Sequence, residues 1–232
     1  MNLDNRAFFT IDVFTDFLEG GIWITETHIN TWIIMLIMII LALIIRRKLT
    51  KTDTPTGIQN VIELIVDMFD KFIISNLGEK NRKYGNWFFG VFTFLIFANF
   101  SGLIGLRPPT ADITMTLALS MSTFFIIHIG GFMYNPKGYA KSFLEPFFVF
   151  LPMNIIGELA VPVSLGLRLF GNILSGMIIL SIIYYIVPWF LAIGWPALLH
   201  AYFDVFAGLI QAFIFTVLSL TFISGKLIEK EA

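Results

Sequence analysis

Five long runs of apolar residues, separated by short polar or charged segments, set the pattern of this chain. The runs cover about 29–45, 87–106, 113–133, 143–187 and 197–226. Each is long enough to form a helix that crosses the ~30 Å hydrocarbon core of a bilayer. The pattern therefore predicts an all-α membrane protein with about five transmembrane helices.

A shorter segment, 56–76, has a different pattern. Its apolar residues recur at helical spacing, while Asp67, Asp70 and Lys71 fall on the opposite side. A helix with one apolar and one charged side lies on a membrane surface or against neighbouring helices. We expect an amphipathic surface helix here, on the cytoplasmic side.

The last two apolar runs are unusual in length. The run at 143–187 exceeds one upright span, yet no polar turn divides it. Pro152 and Pro162 are expected to kink this helix, which membrane helices tolerate when neighbouring groups satisfy the freed carbonyls. The segment from Pro188 to Pro196 marks the break before the run at 197–226. We expect these two helices to be strongly tilted and to form a channel-forming hairpin.

The composition agrees with a membrane location. The 232 residues are 57% hydrophobic and 13% charged, with a mean hydropathy of +0.83, whereas soluble domains average about 45–50% apolar and 25% charged residues. We expect one integral membrane domain over 1–232. The net charge of −1 gives no sign of nucleic-acid binding, and the absence of cysteines excludes disulfides and Cys-ligated metal.

The basic residues predict the orientation. If five helices cross the membrane and the N-terminus lies outside, only Arg6 and Arg107 of the 15 Lys and Arg residues lie outside, and Arg168 lies within the membrane. The others all fall on the cytoplasmic side, in agreement with the positive-inside tendency. We therefore expect an external N-terminal tail at 1–27 and a cytoplasmic C-terminus.

Arg168 is a charged residue at membrane depth. Placing an arginine there costs roughly 2.5 kcal/mol or more, so such a residue usually faces a partner or a water-filled cavity. On the same helix, Glu158 lies toward the cytoplasm, and Asn172 and Ser175 lie toward the exterior on the face of Arg168. A fixed cation flanked by polar groups indicates ion transport. The structural alternative is an arginine that pairs with a buried acid to hold helices together.

The last helix carries a matching polar stripe. Its members recur at spacings of four, four and three, and they are His200, Asp204, Gly208 and Gln211. Gln211 lies nearest mid-membrane, where it is expected to meet Arg168. Histidine and aspartate exchange protons, while amide and hydroxyl groups hold water molecules, so the stripe is suited to a proton path. Asp112, at the outer end of the third span, extends the exterior side.

Other residues have plainer explanations. His200 can equally be an interfacial histidine near a helix start, and Glu158 can pair with a neighbour instead of lining a cytoplasmic exit. His128, on an otherwise apolar helix, is expected to be structural. Small residues that let another helix approach closely are Gly166, Gly171, Gly176, Ala207 and Gly208.

Three segments carry a family resemblance. SLGLRLFGN at 164–172, QAFIFTVL at 211–218 and PPTADIT at 108–114 closely resemble the a subunit of bacterial F-type ATP synthases. The resemblance covers most of the chain from about Trp23 onward. It implies a stator in the bacterial cell membrane, lying against a rotating ring of c subunits whose helices each carry an ion-binding carboxylate.

The resemblance also implies roles for individual residues. Arg168 matches the arginine that faces the passing carboxylates, and Gln211 matches the glutamine packed beside it. Asn172 and Asp112 match polar positions of the exterior path. Two offset half-channels then carry protons, or sodium ions in some relatives, to and from the ring, so that ion flow is coupled to rotation and ATP synthesis.

The implied partners are the c-subunit ring, the b subunits of the peripheral stalk, the F1 sector indirectly and the lipid bilayer. No cofactor and no resident metal are expected, apart from transient passage of sodium. The chain has no GxxxxGK[ST] phosphate loop, no HExxH and no nucleophile elbow. It is therefore not expected to be catalytic alone, and ATP chemistry belongs to another polypeptide.

The chain departs from some relatives at two positions. Met177 stands where they have a carboxylate, and Asp204 stands where they have a histidine. A single carboxylate on the facing helix can replace that pair, and both protons and sodium ions stay open as the coupling ion. Two other functions fit the residues: a stand-alone secondary ion transporter, and an assembly scaffold without a transport role.

Overall fold

The computed structural model of the protein describes residues 7–11, 22–49, 57–145, 147–186 and 195–228. Two short antiparallel strands, β1 (Ala7–Ile11) and β2 (Ile22–Thr25), precede the helices. The helices are α1 (Glu26–Lys48), α2 (Ile58–Leu77), α3 (Gly85–Phe100), α4 (Ile113–Tyr134), α5 (Pro136–Ser142), α6 (Leu151–Ile186), α7 (Trp195–His200) and α8 (Gly208–Ile228). Short 3₁₀ turns cover Glu79–Tyr84, Ser101–Ile104, Pro109–Ala111 and Phe148–Phe150.

Five spans are long and apolar enough to cross a membrane, which confirms the predicted number. Within the described ranges they cover Glu26–Lys48, Glu79–Ile104, Ile113–Tyr134, Phe148–Ile186 and Leu198–Leu227. The second span begins earlier than the predicted residue 87, because the charged turn Glu79–Tyr84 leads directly into α3. The regular structure in the described ranges is therefore helical apart from the β1–β2 pair, which lies within the segment predicted as an N-terminal tail.

The fourth span contains α6, a helix of 36 residues. At 1.5 Å per residue it is about 54 Å long, which exceeds the ~30 Å hydrocarbon core and requires a strong tilt in a bilayer. The predicted start of this helix near residue 143 is wrong. The short helix α5 ends at Ser142, and α6 begins only at Leu151.

Two residues explain this later start. Pro152 occupies the second position of α6, where a missing N–H costs no helical hydrogen bond. The side-chain amide of Asn154 donates to the carbonyls of Phe143 at 2.9 Å and Glu145 at 3.0 Å, which fixes the non-helical connection before the helix. Pro162 lies inside α6, as predicted.

The fifth span is not the continuous α-helix predicted for 197–226. Between α7 and α8 the chain forms a π-helical segment, Ala201–Ala207. Wider turns of this kind occur frequently at functional sites. The predicted break lies outside the described residues from Pro188 to Gly194, whereas Trp195 and Pro196 already belong to α7.

The predicted amphipathic helix is confirmed as α2, except that Thr56 lies outside the described residues. Its buried residues, Ile73 and Leu77, join a core cluster with α3, α4 and α8. The hydroxyl of Ser224 near the end of α8 donates to the carbonyl of Asn76 at 2.8 Å. The helix is therefore attached to the bundle along one side.

Small residues bring the long helices together near their middle, as predicted. A Cβ atom added at Gly166 would lie 2.9 Å from side-chain atoms of Leu117 and Ser120 on α4. One added at Gly176 would lie 3.3 Å from the ring of Phe203. Gly171 differs, because no heavy atom lies within 4 Å of such a Cβ.

A buried polar group fastens the start of α8. A Cβ atom added at Gly208 would lie 2.8 Å from Cβ of Asn99, so the two helices touch here. The amide of Asn99 donates to the carbonyl of Gly208 at 2.9 Å, and its oxygen accepts from the hydroxyl of Thr110 at 3.0 Å. The contact connects α3, the start of α4 and α8 at one level.

Candidate ion-translocation site

Arg168 lies in the middle of α6 and its side chain is exposed at the surface of the chain. Among the described residues no hydrogen bond or ion pair involves its guanidinium. The described residues therefore contain no acid that pairs with Arg168, as the structural alternative would require. An unpaired guanidinium at membrane depth is suited to a partner outside this chain.

The surface around Arg168 is open. Gly171, one turn away on the same face, has no neighbouring heavy atom where a side chain would begin. Leu167 is 46% exposed, and Ser175 is exposed, with its hydroxyl donating to the carbonyl of Asn172 at 3.0 Å. This face of α6 therefore offers room for another helix to approach the arginine.

Gln211 does not meet Arg168 as expected. The amide of Asn172 donates to Oε1 of Gln211 at 2.5 Å, and this bond joins α6 to α8. Gln211 is only 2% exposed, and its Nε2 has no hydrogen-bond partner within the described part of the chain. The glutamine was predicted from its position in the stripe, but the direction of its side chain is set by the close packing of the two helices.

One cavity of about 420 Å³ lies toward the α7 end of the long helices. We call it the Asp204 cavity; its lining includes Gly102, Met177, Ser181, Tyr184, His200 and Asp204. Asp204 lies in the π-helical segment, and its side chain is 13% exposed. A Cβ atom added at Gly102 would come within 3.0 Å of this carboxylate, so the glycine makes room for it.

Asp204 is part of a short hydrogen-bonded chain. Nδ1 of His200 lies 2.5 Å from Oδ2 of Asp204, and the hydroxyl of Tyr184 lies 2.8 Å from Nε2 of the same imidazole. With an ionised carboxylate and a neutral imidazole, Nδ1 donates to Asp204 and Nε2 accepts from the tyrosine. The structure thus brings the predicted pair together at its i, i+4 spacing. Tyr184 was missed, because nothing in a single sequence marks a contact across the turn between two helices.

A second cavity, of about 480 Å³, lies toward the opposite ends of α6 and α8. We call it the Glu158 cavity; its lining includes His128, Ser142, Asn154, Glu158, Thr221 and Lys226. Nζ of Lys226 forms an ion pair with Oε1 of Glu158, and Nε2 of His128 lies 3.7 Å from Oε2. Glu158 therefore both lines the cavity and pairs with a neighbour.

Aromatic residues complete this cluster. The hydroxyl of Tyr139 on α5 is hydrogen-bonded to Nδ1 of His128. The ammonium of Lys226 lies 5.8 Å from the centre of the Tyr139 ring and 5.6 Å from that of Phe143, within the range of cation–π contacts. Burial, with a smaller effect of the Glu158 carboxylate, raises the pKa of Tyr139 to about 12. The phenol therefore keeps its proton and acts as a donor.

Sequence reasoning missed the roles of Lys226 and His128. From the sequence, Lys226 is only one of the basic residues expected on the cytoplasmic side, and His128 is expected to be structural. A structural role for His128 agrees with its hydrogen bond to Tyr139. The structure also shows that His128 lines the Glu158 cavity. These contacts depend on how α4, α6 and α8 pack against one another, and the spacing of residues within one helix does not reveal that packing.

Asp112 lies at the start of α4, and its role in the exterior path stays a prediction. Its carboxylate accepts from the backbone N–H of Thr114 at 2.9 Å and forms the N-cap of α4. It does not belong to the lining of the Asp204 cavity. Capping side chains of this type typically stabilise a helix by ~1 kcal/mol, which gives the residue a structural role independent of any path.

The segment with Arg168 separates the two cavities. They share no lining residue, and Arg168 lines neither. Along α6, Glu158 lies ten residues before Arg168 and Met177 lies nine residues after it, distances of about 15 Å and 14 Å. The Glu158 cavity and the Asp204 cavity thus lie on opposite sides of Arg168 along α6. Within the described ranges, no group of three or more His, Asp or Glu residues is arranged to hold a metal ion.

Sequence comparisons relate the chain to known proteins. The sequence profile of the family described as ATP synthase A chain matches residues 28–224. The chain is 35% identical to ATP synthase subunit a of Moorella thermoacetica over 208 residues, which cover 89% of this chain and 92% of the relative. It is also 35% identical to ATP synthase subunit a 1 of Syntrophotalea carbinolica, over 90% of this chain and 88% of the relative.

A third relative bears on the coupling ion. The protein of Propionigenium modestum named ATP synthase subunit a, sodium ion specific, is 32% identical over 228 residues, 91% of this chain and 77% of the relative. The match to the profile covers most of the chain, and these relatives are matched over most of their length. The chain belongs to the ATP synthase A chain family, the non-catalytic, ion-translocating subunit a in the membrane sector of F-type ATP synthases.

Proposed function

We propose that this chain is the stator that delivers ions to and from a ring of c subunits, with Arg168 facing the ring. The exposed, unpaired guanidinium beside the open position of Gly171 is the observation that carries this proposal. The ring approaches this face of α6, and each passing subunit presents its ion-binding carboxylate to the arginine.

The charge of Arg168 explains the release of ions. Opposite charges about 4 Å apart attract by about 4 kcal/mol at an effective dielectric near 20. A carboxylic acid that arrives opposite Arg168 therefore loses its ion more readily. The same cation repels any ion that would pass directly from one cavity to the other, so that transport requires rotation of the ring.

The two cavities act as the two half-channels. The Asp204 cavity opens to the exterior, and the Glu158 cavity opens to the cytoplasm. The distribution of charge supports this orientation. Lys226 lies at the Glu158 end, and the last turn of α1 carries three basic residues, whereas Arg107 lies near the opposite end of α1, where its carbonyl accepts from Asn30. The N-terminus is then outside and the C-terminus is cytoplasmic, in the bacterial cell membrane.

The peripheral stalk supplies a further partner in this proposal. Its b subunits hold the stator still while the ring turns, and α2 offers an exposed charged side on the cytoplasmic end. The ion pair between Lys71 and Asp67 is 2.7 Å long and lies on that side. The apolar side of α2 faces lipid and neighbouring helices.

A cysteine cross-link tests the proximity of Arg168 to the ring. The chain has no native cysteine, so single variants report one position each. Gly171→Cys is expected to form a disulfide with a cysteine placed next to the carboxylate of a c subunit. Ile39→Cys on α1, which is 57% exposed, serves as the matched control and should not react.

Two outcomes contradict the proposal. The first is a ring that cross-links to Ile39→Cys and never to Gly171→Cys. The second is rapid ion flux through the isolated chain in liposomes, which a stand-alone transporter would show and a stator would not.

A further inference from the structure

The Glu158 cavity contains a cation that belongs to the protein itself. Lys226 on α8 pairs with Glu158 on α6, and the two side chains are only 19% and 25% exposed. Pairing of this kind compensates the cost of placing each charge away from water, and removal of one partner leaves the other uncompensated. The ammonium is therefore held against one carboxylate oxygen.

The same cavity is otherwise suited to a metal cation. Besides Glu158, its lining includes Ser142, Asn154 and Thr221, three residues whose side chains carry an oxygen. Hydroxyl and amide oxygens still accept when their hydrogens are donated elsewhere, and here those hydrogens go to backbone carbonyls. Carboxylate, amide and hydroxyl oxygens are the ligands that hard cations prefer.

We propose that Lys226 acts as a tethered cation that excludes sodium ions from the Glu158 cavity, so that this half of the path conducts protons. The inference rests on the proposed function and names the ion that this half-channel accepts. The ammonium stands where a monovalent cation would contact the carboxylate. Its contacts with Tyr139 and Phe143 hold it there.

A proton does not need the position that Lys226 occupies. Nε2 of His128 lies 3.7 Å from the second carboxylate oxygen, and the hydroxyl of Tyr139 is hydrogen-bonded to Nδ1 on the other side of the ring. An imidazole exchanges protons through its two nitrogens, and it offers no oxygen ligand to sodium. His128 and water in the cavity therefore provide the proton route past the ion pair.

The test uses the intact synthase, reconstituted in liposomes, with Lys226→Met. ATP-driven proton pumping is measured with sodium chloride and with choline chloride at equal ionic strength. In the native complex the two salts should give equal rates. In the Lys226→Met complex the freed carboxylate binds sodium, and the rate should fall roughly threefold in about 0.1 M sodium relative to choline.

Two control variants separate this effect from general damage. Lys141→Met removes the lysine of an exposed ion pair with Glu145, 3.4 Å long, and should leave pumping insensitive to sodium. Lys226→Arg keeps the charge and should also stay insensitive. In the double variant Lys226→Met with Glu158→Gln the sodium effect should disappear, because the carboxylate is gone.

Several results would overturn the inference. They are equal pumping of the Lys226→Met complex in both salts, a sodium effect that persists in the double variant, and uptake of radioactive sodium coupled to ATP hydrolysis by the native complex. The last measurement decides the matter even if Lys226→Met does not assemble. Each of these results leaves the stator role intact, whereas normal coupling in an Arg168→Ala complex would remove the stator role instead.

Discussion

The two cavities contain the same kind of acid in different surroundings. In the Asp204 cavity the carboxylate lies against an imidazole, which in turn contacts a phenol. In the Glu158 cavity the carboxylate forms an ion pair with the ammonium of Lys226, and the imidazole of His128 lies farther away, at 3.7 Å. The first acid has neighbours that exchange protons, whereas the second is half of a fixed ion pair.

This difference shows that the role of a carboxylate beside a cavity depends on the side chains that contact it. In the proposed mechanism, Asp204 passes a proton along the hydrogen-bonded chain that includes His200. Glu158 in this proposal balances the charge of Lys226, while His128 and water exchange the proton. Substitutions that remove one carboxyl charge should therefore affect the two cavities in different ways.

Of the substitutions in the two cavities, we expect the largest loss of pumping at Asp204. Asp204→Asn keeps the shape of the side chain and removes proton exchange, so ATP-driven pumping by the reconstituted complex should fall on the order of 10²-fold. Asp67→Asn, at an exposed position on α2, is the control for loss of a carboxylate. Near-normal pumping by Asp204→Asn would mean that protons reach the ring by another route.

At Glu158 the effect should depend on its partner. Glu158→Gln leaves the partly buried ammonium of Lys226 uncompensated, and pumping should fall about tenfold. Adding Lys226→Met removes the stranded charge, so the double variant should recover part of the rate in choline chloride. The measurement is the pumping rate of both complexes at equal protein content. No recovery in the double variant would mean that Glu158 itself carries the proton.

A smaller effect is expected from the phenol of the Asp204 cavity. Tyr184→Phe removes one hydrogen bond that orients the imidazole of His200. A net hydrogen-bond contribution of about 1 kcal/mol corresponds to a pumping rate about fivefold lower. Tyr185→Phe is the matched control, because Tyr185 is 92% exposed. If both variants pump at the native rate, Tyr184 does not position the imidazole.

The smallest effect concerns the barrier between the cavities. Gly166→Ala places a methyl group against Leu117 and Ser120, and should lower the stability of the complex by about 1–3 kcal/mol. Gly157→Ala, where no heavy atom lies within 4 Å, should have little effect. The thermal midpoint of each complex provides the comparison. Equal midpoints would show that α4 and α6 are not tightly packed at Gly166.

Sequence patterns predicted the parts of this molecule that depend on local spacing. Apolar runs predicted the five spans and α2, and the i, i+4 spacing placed His200 and Asp204 on one side of the last helix, where the structure shows them in contact. Arg168 was recognisable because one charge in a long apolar run needs an explanation.

Patterns could not predict contacts between distant segments. Lys226 reaches Glu158 across 68 positions, and Gln211 turns to Asn172 because α6 and α8 pack closely. The π-helical segment around Asp204 also has no simple sequence signal, since it differs from an α-helix by one extra residue in a turn. These features arise only when the helices are packed together.

Arg168→Ala in the reconstituted synthase tests the central claim most directly. Loss of an attraction of about 4 kcal/mol corresponds to ~10³-fold, so ATP synthesis driven by an imposed ion gradient should fall to background in an assembled complex. Arg82→Ala, which removes an exposed pair with Asp70, should synthesise ATP normally. Normal synthesis by the assembled Arg168→Ala complex would contradict the account.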